Sequence, residues 1–387
     1  MSSGGRIIIV GGGPAGSGLA IRLARLGFAV SLLEERRFPR HKLCGEFISP
    51  ECARHFAQLG VLDRIEEAGG TRLRQTVFYS PRGRSFAVPS AWFGGHAWGL
   101  SRARLDELLL DEARRAGAEV LVETRAIGLI EEHGRVVGLV ARNAAGTHRL
   151  PAALIVDATG RRRALARKFE KRKAGRHAPS LVAFKTHLHG ARPSTETCEI
   201  YLYHSGYGGL SPIEDGSCNI CFIVAAHEVR ACGGDPEALL RRVVCANGRA
   251  AETLRDARAV LPWSSVSIER FGPAELAPTP NLLAVGDAAA FIDPFTGSGM
   301  LLALESGEAL AQAIQARWRG AEAWDELKRE YARRHRARFG HRLRWCAAFR
   351  RLAFAPPQAV EAAAMLLATS ERTLRRAAQA TRARRAL

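Results

Sequence analysis

Nowhere in its 387 residues does this sequence approach the ~20 consecutive apolar residues that a membrane-spanning helix requires, which excludes an integral helical membrane protein. Lysine is scarce, standing only at positions 42, 168, 171, 173, 185 and 328 and leaving 51 of the 57 basic residues as arginine. The formal charge of +19 therefore reflects a skew that GC-rich coding produces more readily than binding does. No nucleic-acid module and no interleaved exposed aromatics accompany the charge, so no nucleic acid is expected as a partner. The eight cysteines, at 44, 52, 198, 218, 221, 232, 245 and 346, show no disulfide framework. Cys218 and Cys221 lie in a strand-like run, where a spacing of three sends side chains to opposite faces. His187 and His189 share a strand face without a third ligand and read as pocket lining or surface, so no metal is expected. No Ser-His-Asp set or carboxylate pair stands out, and no general base is assigned. With the first strand starting near residue 6 there is no room for a signal peptide, and the expected location is the cytoplasm.

What is present begins at once. Ile7-Ile8-Ile9-Val10 is an apolar strand that feeds Gly11-x-Gly13-x-x-Gly16, with Pro14 and Ala15 between the last two glycines; a helical pattern follows, then a second strand ending in Glu34. Each part serves dinucleotide binding. The glycines permit a tight turn, a close approach to pyrophosphate and close helix–strand packing. The helix N-terminus offers N–H groups and a positive dipole end to the phosphates. Glu34, 18 residues past Gly16, is placed to accept hydrogen bonds from ribose hydroxyls.

A second element lies far downstream. Asn281-Leu282-Leu283-Ala284-Val285 reads as a buried strand ending in Gly286-Asp287, followed by Pro294, Gly297 and Gly299 and a long apolar helix over roughly 300–316. An NAD dehydrogenase has no use for it. A cofactor with a sugar-alcohol chain does, because Asp287 can hold a ribityl hydroxyl and the next helix can aim its N-terminal amides at the flavin edge where negative charge gathers on reduction. The reading is FAD.

With both ends read, the chain resembles the single-component FAD oxidoreductases of the para-hydroxybenzoate hydroxylase fold, which include monooxygenases, flavin-dependent halogenases and geranylgeranyl reductases. The segment Phe38-Pro39-Arg40-His41-Lys42-Leu43-Cys44-Gly45-Glu46 resembles the loop after the ribose acid in the reductase and halogenase branches, where a second glycine often replaces Glu46. Ser101-Arg102-Ala103-Arg104-Leu105-Asp106 resembles a helix whose arginine lies near FAD, and Val156-Asp157-Ala158-Thr159-Gly160-Arg161 resembles a second cofactor-contacting turn. That match alone implies cofactor contacts for Arg102, Asp157 and Gly160, and it brings Cys44, Gly45 and Glu46 to the flavin ring as candidates for the reacting end.

The expected architecture is α/β: a discontinuous Rossmann-like FAD-binding domain (1–72, 98–178, 275–320), a β-sheet substrate domain (73–97, 179–274) laid over the flavin, and a C-terminal helical region (321–387). The basic stretch from Arg161 to Arg176 reads as a mobile connection. From Arg317 onward, 18 basic residues face 6 acidic ones, with Tyr331, Phe339, Leu343, Cys346 and Phe349 near helical spacing. That pattern fits a helix sealing the flavin domain, or one touching an anionic membrane. There is no second complete Gly-x-Gly-x-x-Gly, so NAD(P)H is expected as a transient electron donor without a domain of its own. The strand Gly206-Tyr207-Gly208-Gly209-Leu210-Ser211-Pro212 lacks the tryptophans of the halogenase motif. The leading expectation is a monooxygenase acting on a small hydrophobic aromatic, polyketide or lipid-like substrate. The alternative is a reductase that saturates isoprenoid or lipid double bonds. A flavin-free binding protein that lost turnover is a third possibility, and colourless purified protein would mark it.

Overall fold

The structure, a computed structural model, describes residues 5–170 and 181–382. Its centre is a parallel sheet in the order β20-β12-β1-β2-β8, formed by Leu282–Ala284, Leu154–Asp157, Ile7–Val10, Val30–Leu33 and Glu119–Leu121. Every residue of β1 is buried, as a central parallel strand covered on both faces must be. Helix α1 (Pro14–Arg25) follows directly, with proline at its start where the missing N–H costs nothing. Helices α2 (Cys52–Leu59), α3 (Leu62–Glu67), α4 (Arg102–Arg115) and α8 (Gly299–Arg317) complete this layer, and Leu19, Leu105, Leu301 and Leu310 share one core. A three-stranded sheet, β11 (Gly146–Pro151), β10 (Arg135–Asn143) and β9 (Arg125–Glu132), covers the opposite side through Val136 and Leu139. A smaller sheet, β3 (Phe47–Ile48), β7 (Ala97–Gly99) and β4 (Thr71–Leu73), lies at the junction with the second layer.

That second layer is an eight-stranded sheet in the order β17-β13-β16-β15-β14-β5-β6, comprising Arg258–Ala259, Leu181–His189, Cys218–Ala225, Gly206–Pro212, Thr197–Tyr203, Gln75–Tyr79 and Ser85–Pro89, with β18 (Ser264–Ile268) also on β13. The early hairpin β5–β6 joins it by parallel pairing of β5 with β14. Alternation gives the sheet two distinct faces. Tyr201, Phe222 and Val224 pack in one cluster with Leu239, Val244 and Ala250 of the 236–250 region, where α5 (Ala226–Ala231), α6 (Pro236–Arg242) and α7 (Gly248–Thr253) follow the sheet. The neighbouring positions Ile200, Leu202, Cys221 and Ile223 line a large cavity on the other face. Cys218 and Cys221 do point opposite ways.

The strands β19 (Gly272–Pro273) and β21 (Ala290–Phe291) close the junction. The helix expected over 300–316 runs from Gly299 to Arg317. Against it lies α9 (Trp324–Ala353), whose Tyr331, Phe339 and Cys346 are buried and whose Tyr331 hydroxyl donates to the Ala284 carbonyl at 2.8 Å. The amphipathic basic pattern thus seals the parallel-sheet domain. Helices α10 (Pro357–Thr369) and α11 (Glu371–Ala380) then return across the cavity. Of the basic stretch 161–176, residues 171–176 lie outside the described residues, and the remainder holds two short 3-10 turns, Gly160–Arg162 and Ala166–Phe169.

Candidate functional site

A single cavity of about 1180 Å³ runs from the first glycine loop to the second sheet. Its floor begins where β1 turns into α1. Gly16 is required by close approach: a Cβ there would lie 1.9 Å from the Gly11 carbonyl oxygen, so helix and strand could not meet. Gly11, Gly13, Pro14 and Ala15 line the cavity, while Gly16 serves the packing beneath them. The N-cap of α1 is Gly13, which offers no side-chain cap, so the first-turn amides are left to a ligand.

The acid at the end of β2 closes the loop. Glu34 Oε2 accepts from the Gly12 amide at 2.9 Å and from Arg40 at 3.1 Å, and Oε1 accepts from the Arg36 amide. Arg40 also donates to Asp106 at 2.9 Å, and Asp106 holds Arg102 through two hydrogen bonds of 2.7 Å. Burial opposes the Arg102 charge, yet Asp106 more than offsets it and its pKa is raised. The Arg102 guanidinium stands 3.4 Å from where a Gly13 side chain would project, at the point of closest backbone approach. Lys42 faces the same cavity. Enclosure by protein, with Arg40 and Arg102 adding like charge, pushes its ammonium down to about 8. Three cations against Glu34 and Asp106 leave positive charge that an anion such as pyrophosphate would balance.

The downstream corner joins this floor directly. Gly286 adopts φ +61, and a Cβ there would come within 2.8 Å of the Ala15 Cβ, so residues some 270 positions apart in the chain touch. Asp287 lines the cavity, and among the described residues its carboxylate has no hydrogen-bond partner. Enclosure raises its pKa against the opposing charges of Arg161, Arg102 and Lys42. Pro294 and Gly297, ahead of α8, and Gly299, its first residue, line the same wall, and the N-cap Ser298 makes no side-chain cap hydrogen bond.

Gly160 lines the cavity as well, but Asp157 stands apart. It is fully buried behind the lining, and its carboxylate accepts from Thr159, from the Leu165 amide at 3.0 Å and from the Ala166 amide at 2.8 Å. It shapes the turn that carries Ala158, Thr159 and Gly160 and is turned away from the cavity. The resemblance implies a cofactor contact for Asp157; its side chain organises the turn, and Ala158, Thr159 and Gly160 are the residues of that turn that line the cavity.

Cys44, Gly45 and Glu46 line the cavity together. Glu46 has φ +52, backbone territory that glycine occupies freely and other residues rarely do. In this chain the side chain is fully buried in a local network. Oε1 accepts from Lys185 at 2.7 Å and from the Arg102 amide at 2.8 Å, and Oε2 lies 2.6 Å from His187 Nε2. Burial alone would raise its pKa, but the His187 hydrogen bond and the Lys185 charge hold it below the usual carboxylate range. The network ties the loop after β2 to β13, and the Asn219 amide adds a hydrogen bond to the Cys44 carbonyl at 3.1 Å. His189, by contrast, bonds Ser217 at the surface.

Beyond Cys44 the lining turns apolar. Phe78 stacks on Phe86 at 5.0 Å and tilts against Phe295, and Tyr207 meets Phe295 edge-on with its hydroxyl held by Asp293. From above, Val360, Ala364 and Leu367 of α10 and Leu374 and Ala378 of α11 complete the chamber.

Sequence reading left Arg40, Lys42, Asp106 and Lys185 unassigned. For Asp106 a signal existed: Arg102 and Asp106 sit at i and i+4 on one helix face. Lys185 had none, because its partner is 139 positions away in the chain.

An uncapped glycine turn, a surplus of buried positive charge and an unpartnered acceptor at Asp287 fit a dinucleotide with pyrophosphate and a ribityl chain. Comparison with known proteins agrees. The model of the FAD binding domain family matches residues 5–344. Digeranylgeranylglycerophospholipid reductase 2 of Methanothermobacter thermautotrophicus is 29% identical over 319 residues, covering 80% of this chain and 78% of the relative. Among solved structures, the myxobacterial chondrochloren halogenase is 26% identical with a TM-score of 0.73, over 86% of this chain and 80% of its own. A geranylgeranyl bacteriochlorophyll reductase-like protein of Thermoplasma acidophilum shares the fold with a TM-score of 0.77 at 21% identity, over 97% of this chain and 96% of its own. The chain belongs to the FAD binding domain family and is an FAD-dependent oxidoreductase.

Proposed function

We propose that this enzyme is a reductase that saturates carbon–carbon double bonds of an isoprenoid or lipid-like substrate, with NADH, NADPH or a partner reductase as electron donor. The observation that carries the reading is the apolar chamber between the second sheet and α10–α11, continuous with the cofactor floor: from Val360 to Ala378 the roof lining offers no charge. The extended similarity to a reductase named for a digeranylgeranyl lipid supports it over the hydroxylase expectation.

In this reading Arg102, Lys42 and the α1 amides hold the pyrophosphate, Glu34 receives ribose hydroxyls and Asp287 a ribityl hydroxyl. Bound and reduced, FAD supplies the hydride equivalent, and the roof keeps water from the reacting carbon. A proton must balance the hydride. Burial pushes the Cys198 and Cys221 thiols up to about 12, and the Tyr207 hydroxyl is committed to Asp293. Cys44, on the loop where the cofactor floor meets the apolar chamber, is assigned that donation on position, its sulfur accepting from the Glu46 amide at 3.4 Å.

The test is turnover of an unsaturated isoprenoid glycerolipid under argon with reduced nicotinamide nucleotide. A product heavier by two hydrogen atoms per bond, formed without oxygen, supports the reading. Oxygen consumption with a product heavier by one oxygen atom would restore the hydroxylase.

A further inference from the structure

Helix α10 is largely apolar on its solvent side as well as its inner side, with Gln358 and Thr369 the exposed polar residues at its two ends. Its lone acidic residue, Glu361, is buried and turned inward, accepting from Ser80 at 3.0 Å and from the Arg82 amide at 2.7 Å. Inward, Val360, Ala364 and Leu367 line the substrate chamber. Outward stand Ala359, Ala362, Met365 and Leu366, the last two 50% and 61% exposed. An exposed strip with Ala359, Ala362, Met365 and Leu366 between those polar ends is suited to a core or to lipid more than to water.

The surroundings of this strip are predominantly positive. Arg351 precedes it in the chain, and Arg372 and Arg376 follow it, all exposed and, among the described residues, without an acidic partner. The exposed Arg82 and Arg84 adjoin it through Glu361. Glu371 is the only exposed acid between Arg351 and Arg376. Among the described residues no helix is long and apolar enough to cross a membrane.

We propose that the outer face of α10, rimmed by these arginines, docks the protein on an anionic phospholipid bilayer, so that one helix separates the lipid surface from the substrate chamber. Apolar side chains enter the acyl boundary while guanidinium groups pair with lipid phosphates. A second copy of the chain is the poorer occupant, because a self-complementary contact here sets arginines against arginines. Docking stands on this face alone; its service to substrate entry rests on the reductase reading.

The experiment is co-sedimentation of the holoenzyme with phosphatidylcholine vesicles, with and without phosphatidylglycerol, at low and high salt. Binding is expected only to the anionic vesicles, weakened by salt and reduced at least ~10-fold in Met365→Glu/Leu366→Glu and in Arg372→Glu/Arg376→Glu. Retained flavin absorbance shows that each variant is folded. Equal binding to neutral vesicles, unchanged binding by both variants, or a dimer in solution that Leu366→Glu dissolves would overturn the proposal. Turnover of detergent-dispersed substrate by the Met365→Glu/Leu366→Glu variant should match the parent, and turnover of vesicle-embedded substrate should fall. Vesicle binding with no turnover in either form sinks the reductase reading and leaves the docking face standing.

Discussion

The floor and the roof of the cavity are built on opposite terms. The floor, from Gly11 to Lys42 and from Arg102 to Asp106, is a lattice of charge in which Glu34, Arg40, Arg102 and Asp106 hold one another at 2.7–3.1 Å and Lys42 adds a positive charge unpaired among the described residues. The roof lining, Val360, Ala364, Leu367, Leu374 and Ala378, has shape and apolarity and turns no polar side-chain group into the chamber. A polar lattice fails when one member is lost, since removal of one partner strands the other in a low-dielectric site. An apolar roof degrades gradually as area and fit are lost. Floor substitutions should therefore move cofactor binding and stability, and roof substitutions should move substrate affinity with the flavin retained.

The sharpest test removes Arg102. Arg102→Ala leaves fully buried Asp106 with Arg40 alone, and the apoprotein should lose about 2–3 kcal/mol in denaturant unfolding, together with FAD. An unchanged unfolding midpoint would break the contrast. Next, Cys44→Ser should keep bound FAD yet slow anaerobic turnover by ~10²-fold, a separation of chemistry from binding that stopped-flow would resolve. Asp287→Ala should weaken FAD by about 1–3 kcal/mol, read by fluorescence titration, if its free carboxylate serves the ribityl chain.

Lys42 supplies a pH signature. Its ammonium sits near 8 and is charged below that value, so FAD affinity should be flat at lower pH. Above about 8 binding must recapture a proton, and affinity should fall by at most tenfold per unit. Lys42→Gln should erase that slope. The smallest effect belongs to the roof: Leu367→Ser should raise KM for a long-chain substrate by only ~3–10-fold and leave FAD titration untouched.

The same contrast decides what could be read in advance. Glycine spacing, Pro14 at a helix start and Glu34 at a strand end are legible because phosphate and ribose recognition demands fixed residues at fixed intervals. The Asp287 corner was legible for the same reason. The Glu46–Lys185–His187 network was not, because its members come from a loop and from a strand about 140 residues later, and no local pattern announces that pairing. The turn-shaping role of Asp157 was hidden for a related reason: a carboxylate that shapes a turn and one that touches a ligand look alike in one dimension. The roof escaped because any apolar helix of the right length would serve.

Strand β20, at residues 282–284, pairs with β12, and Gly286 then comes to rest against Ala15. During synthesis the N-terminal fingerprint leaves the ribosome long before its counterpart exists. The nascent chain must hold an incomplete pocket, its β12 edge bare, until residues 282–286 have been made. Capture of the cofactor is thus a late event in biogenesis, set by strand order rather than by the affinity of the first glycine loop.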